Sequence, residues 1–501
     1  MTFDRLESDR VSGLSPSTGL DAATASGCLH QRGHVLDSIF HGGGYATAAS
    51  RRIFCDRCRL QRWLYIEGIL AASQGELGMI PTEAAMEIRR ACQPGRIDLD
   101  ALGAEFQRTG HSLVALLRGL QAACKGTGGE FVHYGATTQD IQDTAQALEM
   151  REVLNEAERD LVMTVRRLVE LAVTHRDTLM VGRTHAQPAL PITFGLKVAS
   201  WIDELLRQGE RLGQARVRVL VVELFGGAGT MAGFDGRGRE LLEQFAARLG
   251  LAAPAVGWHT ARDRVAEFTV VLAMLTATLA RIADEVRVLS RPELGEVAED
   301  WEYGRVGSST MPHKRNAERS AQVVVLAKLA RANAMLGMES MLQEHERDAR
   351  GLRIEWVAVA DVAHHALAAL AILREVLQGL RVYADQMAAH AYAAAEAICS
   401  EALMLALGRR MGKQSAHALV YDLSQRAQSD GQPLRALLLA RAEVASWLGA
   451  AELDQLLDPA RYVGDAGDIV DRSVRRAQHW LVGRQPGAVD LPHSSAPKCT
   501  L

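Results

Sequence analysis

A chain of 501 residues with 48% hydrophobic content has enough apolar surface for roughly two to four domains or one elongated core. Its formal net charge of −4 at pH 7 is small for that length, which excludes a nucleic-acid scaffold and a polybasic membrane binder. The seven cysteines (Cys28, Cys55, Cys58, Cys92, Cys124, Cys399 and Cys499) are scattered and odd in number, the pattern of reduced thiols in a cytoplasmic protein.

Residues 1–35 are rich in Ser, Gly, Asp and Thr without periodicity, which predicts a flexible extension. They carry Asp4, Arg5, Glu7, Asp9 and Arg10 and no apolar h-region, so no signal peptide is expected. His41-Gly42-Gly43-Gly44 has no G-x-S-x-G elbow to accompany it and predicts a plain turn. From Arg51 the pattern becomes helical, with Leu60, Trp63, Leu64, Ile66, Ile69 and Leu70 at helical spacing. Gly78 ends that helix and Pro81 opens the next. Cys55-Asp56-Arg57-Cys58 has CxxC spacing but no second pair, so no metal is expected there.

Residues 140–180, 195–250, 258–300 and 318–380 read as long amphipathic helices with few prolines, which predicts a bundle and not a packed sheet. Strand signals are nearly absent, and even the β-branched Val217–Leu224 continues a helical pattern. The longest apolar run, Phe268–Ala280, is too short to span a bilayer and reads as a buried helix. After residue 385 the helices shorten, with turns at Gly431 and Asp458-Pro459, and the tail from Gln485 predicts disorder. The expected architecture is all-α, with an N-terminal helical domain (36–125), a central long-helix bundle (126–384) and a C-terminal helical domain (385–484).

Three polar islands interrupt the helices. In His133-Tyr134-Gly135-Ala136-Thr137-Thr138-Gln139-Asp140 a glycine permits a tight turn, and two hydroxyls and an amide follow at a helix start. Helix N-termini attract anions, although Thr138 or Asp140 equally suits a cap. In Gly182-Arg183-Thr184-His185-Ala186-Gln187-Pro188 a histidine lies in a Pro-bracketed break, placed to point into a cleft and able to carry a proton near neutral pH. The third island, Gly307-Ser308-Ser309-Thr310-Met311-Pro312-His313-Lys314-Arg315-Asn316, combines helix breakers with hydroxyls and one of the few lysines of an arginine-rich chain.

The third island resembles the signature G-S-S-x-M-P-x-K-x-N of the fumarase/aspartase superfamily, and the other two resemble that superfamily's remaining signature regions. The likeness runs from about Arg51 to about residue 480 and is strongest to the branch of 3-carboxymuconate cycloisomerases and adenylosuccinate lyases. It implies the superfamily's three-domain fold and a homotetramer whose active sites are each built from three subunits. It also implies proton removal beside a carboxylate, loss of a leaving group from the adjacent carbon, and no cofactor or metal. Ser308 matches the catalytic base and His185 the acid that protonates the leaving group. Thr137, Thr138, Gln139, Thr184, Lys314, Asn316 and Arg353 match positions that bind a small dicarboxylate substrate.

Adenylosuccinate lyases carry an H-S-S-x-E-R stretch that holds the nucleotide phosphate. Here the stretch reads Gly351-Leu352-Arg353-Ile354-Glu355-Trp356, without the serine pair or the final arginine, which argues against an AMP-bearing substrate. The aspartate of a T-x-H-D element is also absent at Thr109-Gly110-His111-Ser112. The E-H-E-R and E-W elements look like the cycloisomerases, yet Leu352 and Ala317 stand where those carry tryptophan and proline. These departures point to β-elimination from a small nitrogen-substituted succinate that releases fumarate, with nitrosuccinate, a substrate of bacterial secondary metabolism, as leading candidate. The alternatives are 3-carboxymuconate cycloisomerisation and an adenylosuccinate lyase-like reaction.

Overall fold

The computed structural model describes residues 34–93 and 95–484. Most of the expected flexible extension, the expected disordered tail, Cys28 and Cys499 lie outside the described residues. The chain divides at Tyr45 into two compact units. In the first, two 3-10 turns span Val35–Asp37 and Gly42–Gly44, so the triple glycine is the turn expected.

The second unit starts with five helices: α1 (Ala48–Phe54), α2 (Asp56–Glu76), α3 (Thr82–Ala91), α4 (Leu99–Thr109) and α5 (Ser112–Ala123). Their ends follow from local chemistry. Thr47 and Ser50 cap α1 reciprocally, at 3.0 and 3.1 Å. The Cys55 sulfur accepts from the Cys58 amide at 3.3 Å, so the CxxC spacing serves as a helix cap. Gly78, at φ +65°, releases α2, and Pro81 precedes α3. His111 caps α5 through Nδ1.

The centre is a bundle of five long helices: α6 (Thr138–Thr174), α7 (Phe194–Val219), α9 (Asp263–Leu289), α10 (Glu318–Glu339) and α11 (Ala349–Gln378). With 37 residues, α6 is about 55 Å long. It packs on α7 and α11, while α10 lies against both α9 and α11. Leu161, Val165, Leu168, Ile202, Leu205, Leu272, Leu279, Leu326, Leu370 and Leu373 are fully buried between them. Each such side chain contributes about 1.5–3 kcal/mol relative to exposure. By contrast α10 leaves Val325, Met335, Leu336 and Met338 exposed.

The structure departs from the expected helices in four places. The break after α6 is a β-hairpin, β1 (Leu179–Thr184) with β2 (Gln187–Thr193), and not an irregular turn between helices. Prolines 188 and 191 disguise it, but a two-stranded ladder has two edges, where a missing N–H is tolerated. The segment 195–250 is two helices, because α7 ends at Val219 and α8 spans Gly238–Leu249. Leu220–Leu224 is extended, bridging Val221 to Ala252, since buried Glu223 and Trp258 hold it there. The segment 318–380 likewise breaks between α10 and α11. Finally, α9 extends well beyond the apolar run, so α9 and α11 are long and apolar enough to cross a membrane; both are mostly buried in the bundle.

After α9, β3 (Val297–Ala298) pairs with β4 (Arg381–Val382). The remaining helices are α12 (Ala384–Ala393), α13 (Ala395–Ile398), α14 (Ser400–Met411), α15 (Lys413–Asp430), α16 (Leu434–Leu439), α17 (Ala442–Trp447), α18 (Ala450–Leu456) and α19 (Ala466–Leu481). Helices α14–α18 close their own core of Leu403, Leu407, Val420, Leu423, Leu438 and Leu453. Helix α19 returns to pack on α6 and α7.

Candidate active site

The start of α6 is built from the inside. Asp140 is fully buried and accepts from the amides of Thr137 (2.9 Å), Phe225 (2.9 Å) and Gly226 (3.0 Å), which fixes the first turn against a glycine-rich loop. Gly135, at φ +73°, permits that approach: a Cβ there would lie 2.6 Å from the Gly233 carbonyl and 2.8 Å from the Phe234 ring. Gln139 is buried, with its amide nitrogen donating to Asp143 and to the His259 carbonyl, both at 2.9 Å. Its carbonyl oxygen accepts from Arg347 Nε at 3.2 Å, and Arg347 Nη1 donates to Thr137 Oγ1 at 2.7 Å. Gln139 therefore holds Arg347 against the first turn of α6. Half-buried Thr138 opens the helix beside it.

Behind this surface lies a charged layer. Arg262, 1% exposed, donates to Asp143 at 2.7 and 3.0 Å and to Glu355, and stacks on Trp258 at 4.7 Å. Burial opposes its charge, but Asp143 and Glu355 hold its pKa above the usual arginine range. Glu223 accepts from the Trp258 amide at 2.6 Å, and burial still pushes its carboxyl up to about 9. His259 Nε2 lies 3.3 Å from Asp140 and 3.5 Å from Glu223, so these three offer a cation-type donor set. Their complete burial and the three amides on Asp140 suit a structural role. His133, at φ +60°, pairs with buried Glu67 at 2.7 Å. Burial opposes charge on this ring, yet Glu67 outweighs it and raises the histidine pKa.

His185 stands at the hairpin tip. It and Ala186 both have positive φ (51° and 64°), the backbone of a type I′ turn made here without glycine or asparagine. The tip is exposed, as is Thr184. Non-glycine residues held in this region cost roughly 1–3 kcal/mol each and concentrate at functional sites.

The Ser308 loop is tied at its root and across its neck. Glu299 accepts from the Ser320 amide at 2.7 Å at the start of α10. Asn316 donates to the Gly307 carbonyl at 2.9 Å, and Trp301 lies between Arg305 (5.1 Å) and Arg315 (5.6 Å). Gly307 is needed because a Cβ would overlap the Lys314 carbonyl and press on the Trp301 ring. Half-buried Ser308 Oγ accepts from the amides of Met311 (3.0 Å) and Thr310 (3.3 Å), donors suited to a developing alkoxide. Lys314 is exposed and has no acidic partner among the described residues.

The start of α11 has two faces. Gly351 and Glu355 face inward, Glu355 bound by Arg262, while Arg353 and Trp356 are exposed. Arg347 was not among the residues the sequence pointed to, nor was the Gly226–Gly229 loop. The signals were present in the E-H-E-R string and in the glycine cluster. Within one chain the structure brings Thr137, Gln139 and Arg347 together. No hydrogen bond or ion pair among the described residues joins this group to the His185 tip or the Ser308 loop.

The fold and these segments define an enzyme, a lyase by descent. Residues 44–330 match the family described as Lyase, and residues 396–473 match the adenylosuccinate lyase C-terminus. The chain belongs to the fumarase/aspartase superfamily, in the branch that includes 3-carboxymuconate cycloisomerases and adenylosuccinate lyases. It is 40% identical to an N-acetyl-S-(2-succino)cysteine lyase of Enterococcus italicus, over 87% of this chain and 96% of that one. It is 38% identical to the same enzyme of Dickeya dadantii, over 89% and 98%. Among solved structures, the 3-carboxy-cis,cis-muconate lactonizing enzyme of Pseudomonas putida superposes with a TM-score of 0.82 at 34% identity, covering 87% and 98%.

Proposed function

We propose that this chain catalyses β-elimination from a small 2-substituted succinate, releasing fumarate and the substituent. The observation that carries this reading is Arg347, a guanidinium held by Thr137 and Gln139 with no carboxylate partner among the described residues. Such a fixed and uncompensated charge at a helix N-terminus suits a substrate carboxylate. Ser308 removes the proton beside one carboxylate, Lys314 and Asn316 stabilise the dianion that forms, and His185 protonates the leaving group. Thr137, Thr138, Thr184 and Arg353 complete the binding surface. Assembly as a homotetramer would bring the three segments together, and the exposed apolar face of α10 supports it. The thiols of Cys55, Cys92, Cys124 and Cys399 fit a cytoplasmic setting.

A thiolate is the leading substituent, because the relatives at 40% and 38% identity are named for an S-(2-succino)cysteine, a thioether at C2 of succinate. The second reading is nitrosuccinate, favoured by Gly351–Trp356, which lacks the serine pair and final arginine of nucleotide-bearing relatives. The purified enzyme should be given N-acetyl-S-(2-succino)cysteine, nitrosuccinate, adenylosuccinate and 3-carboxymuconate separately, with fumarate absorbance, free thiol and nitrite recorded. Fumarate with equal thiol supports the first reading, and fumarate with nitrite the second. Lactone from 3-carboxymuconate alone overturns both.

A further inference from the structure

Arg183, Glu296 and His390 form a junction that the reaction above does not use. Glu296 is fully buried. Its Oε1 accepts from Arg183 Nη2 at 2.7 Å and from His390 Nδ1 at 2.8 Å, and its Oε2 accepts from Arg183 Nη1 at 3.0 Å. Gln386 Nε2 lies 2.8 Å from His390 Nε2. One guanidinium faces one carboxylate, and the imidazole bridges that carboxylate to Gln386.

The three residues come from three parts of the chain. Arg183 is on β1, two residues before His185. Glu296 directly precedes β3, at the root of the segment that leads to Ser308, and its carbonyl accepts from the Tyr383 amide at 3.0 Å. His390 is on α12, which packs against β1.

The hairpin needs such a support. Its register shifts between Gly182 and Arg183, so the ladder is interrupted immediately below the tip. The two tip residues are both left-handed without being glycine, and a turn of that kind has more relaxed alternatives. A bidentate arginine–carboxylate pair fixes orientation as well as distance. Beside this bulge the Arg183–Glu296 pair gives the strand a second anchor.

We propose that Arg183, Glu296 and His390 are positioning residues for His185, holding the strained tip at the angle from which its imidazole meets the leaving group. This rests on the reading of His185 as the acid in the proposed elimination. Misplacing a reacting group by about 1 Å costs on the order of 100-fold in rate.

The test uses two succinates in the intact enzyme, one bearing an alkylthio group that needs a proton to leave and one bearing a nitro group that does not. Glu296→Gln should lower kcat about 10–100-fold on the alkylthio substrate and less than about 3-fold on the nitro substrate. Arg183→Lys, which keeps the charge but not the two-point geometry, should show the same selectivity with a smaller loss. Equal losses on both substrates, or no loss, would overturn the assignment in favour of a purely structural junction. If Glu296→Gln does not fold, His390→Asn keeps the ion pair and should show the same selective loss in weaker form. A wild-type enzyme inert towards every succinate would instead sink the proposed function, an outcome visible before any variant is made.

Discussion

Arg347 donates to Thr137 across 210 positions of sequence, at 2.7 Å, and so joins the loop before α11 to the first turn of α6. This places a fixed positive group where the helix amides already favour an anion. Arg347→Gln should lower kcat/KM about 10–150-fold, the worth of a charge-assisted hydrogen bond of roughly 1.5–3 kcal/mol. The loss should fall mainly on KM, with little change in melting temperature, because the side chain is exposed. Steady-state kinetics and a thermal melt decide it, and unchanged kinetics would remove Arg347 from the site.

Among the described residues, the Ser308 hydroxyl meets only its own loop, the amides of Thr310 and Met311 and the Thr310 hydroxyl. Ser308→Ala should lower kcat by about 10²–10⁴ while leaving fold and assembly intact, as for loss of a general base. Gly307→Ala should resemble it kinetically, since the new methyl forces Lys314 and Trp301 apart. Near-normal turnover in Ser308→Ala would discard this base.

Asp143→Asn should destabilise the chain by about 1.5–3 kcal/mol, because buried Arg262 loses one of its two charge-assisted pairs and keeps only Glu355. Urea unfolding measures it. A loss below about 1 kcal/mol would mean that water or Glu355 alone satisfies the guanidinium.

Glu223 gives a pH signature. Its carboxyl titrates near 4.5 when unexposed surroundings are absent and near 9 in the fold, so between those values the native state holds the extra proton. Stability from this group is full below about 4.5 and is lost as pH rises towards 9. Glu223→Gln should flatten that slope in urea midpoints taken from pH 5 to 9. A variant with the same slope as wild type would show that Glu223 is not the group responsible.

Long helices, the Gly78 end of α2 and the signature loop were legible in the residues, because periodicity and helix-breaking are local properties. The hairpin was not, since Pro188 and Pro191 argue against strands and only the pairing of β1 with β2 overrides them. The end of α7 was hidden for a similar reason. Val217–Leu224 suits helix or strand, and the choice is made by Glu223 and Trp258, which are distant in sequence. Arg347 escaped notice because its meaning lies in Thr137 and Gln139, not in its neighbours.

The first turns of α11 have a buried face and an exposed one. Glu355 is locked to Arg262 beneath the helix, whereas Arg353 and Trp356 point outward one step away. Substitutions on the outer face can therefore accumulate without disturbing the fold. Laboratory evolution of new substrates should therefore begin at those outer positions, where variation leaves the buried Glu355–Arg262 pair untouched.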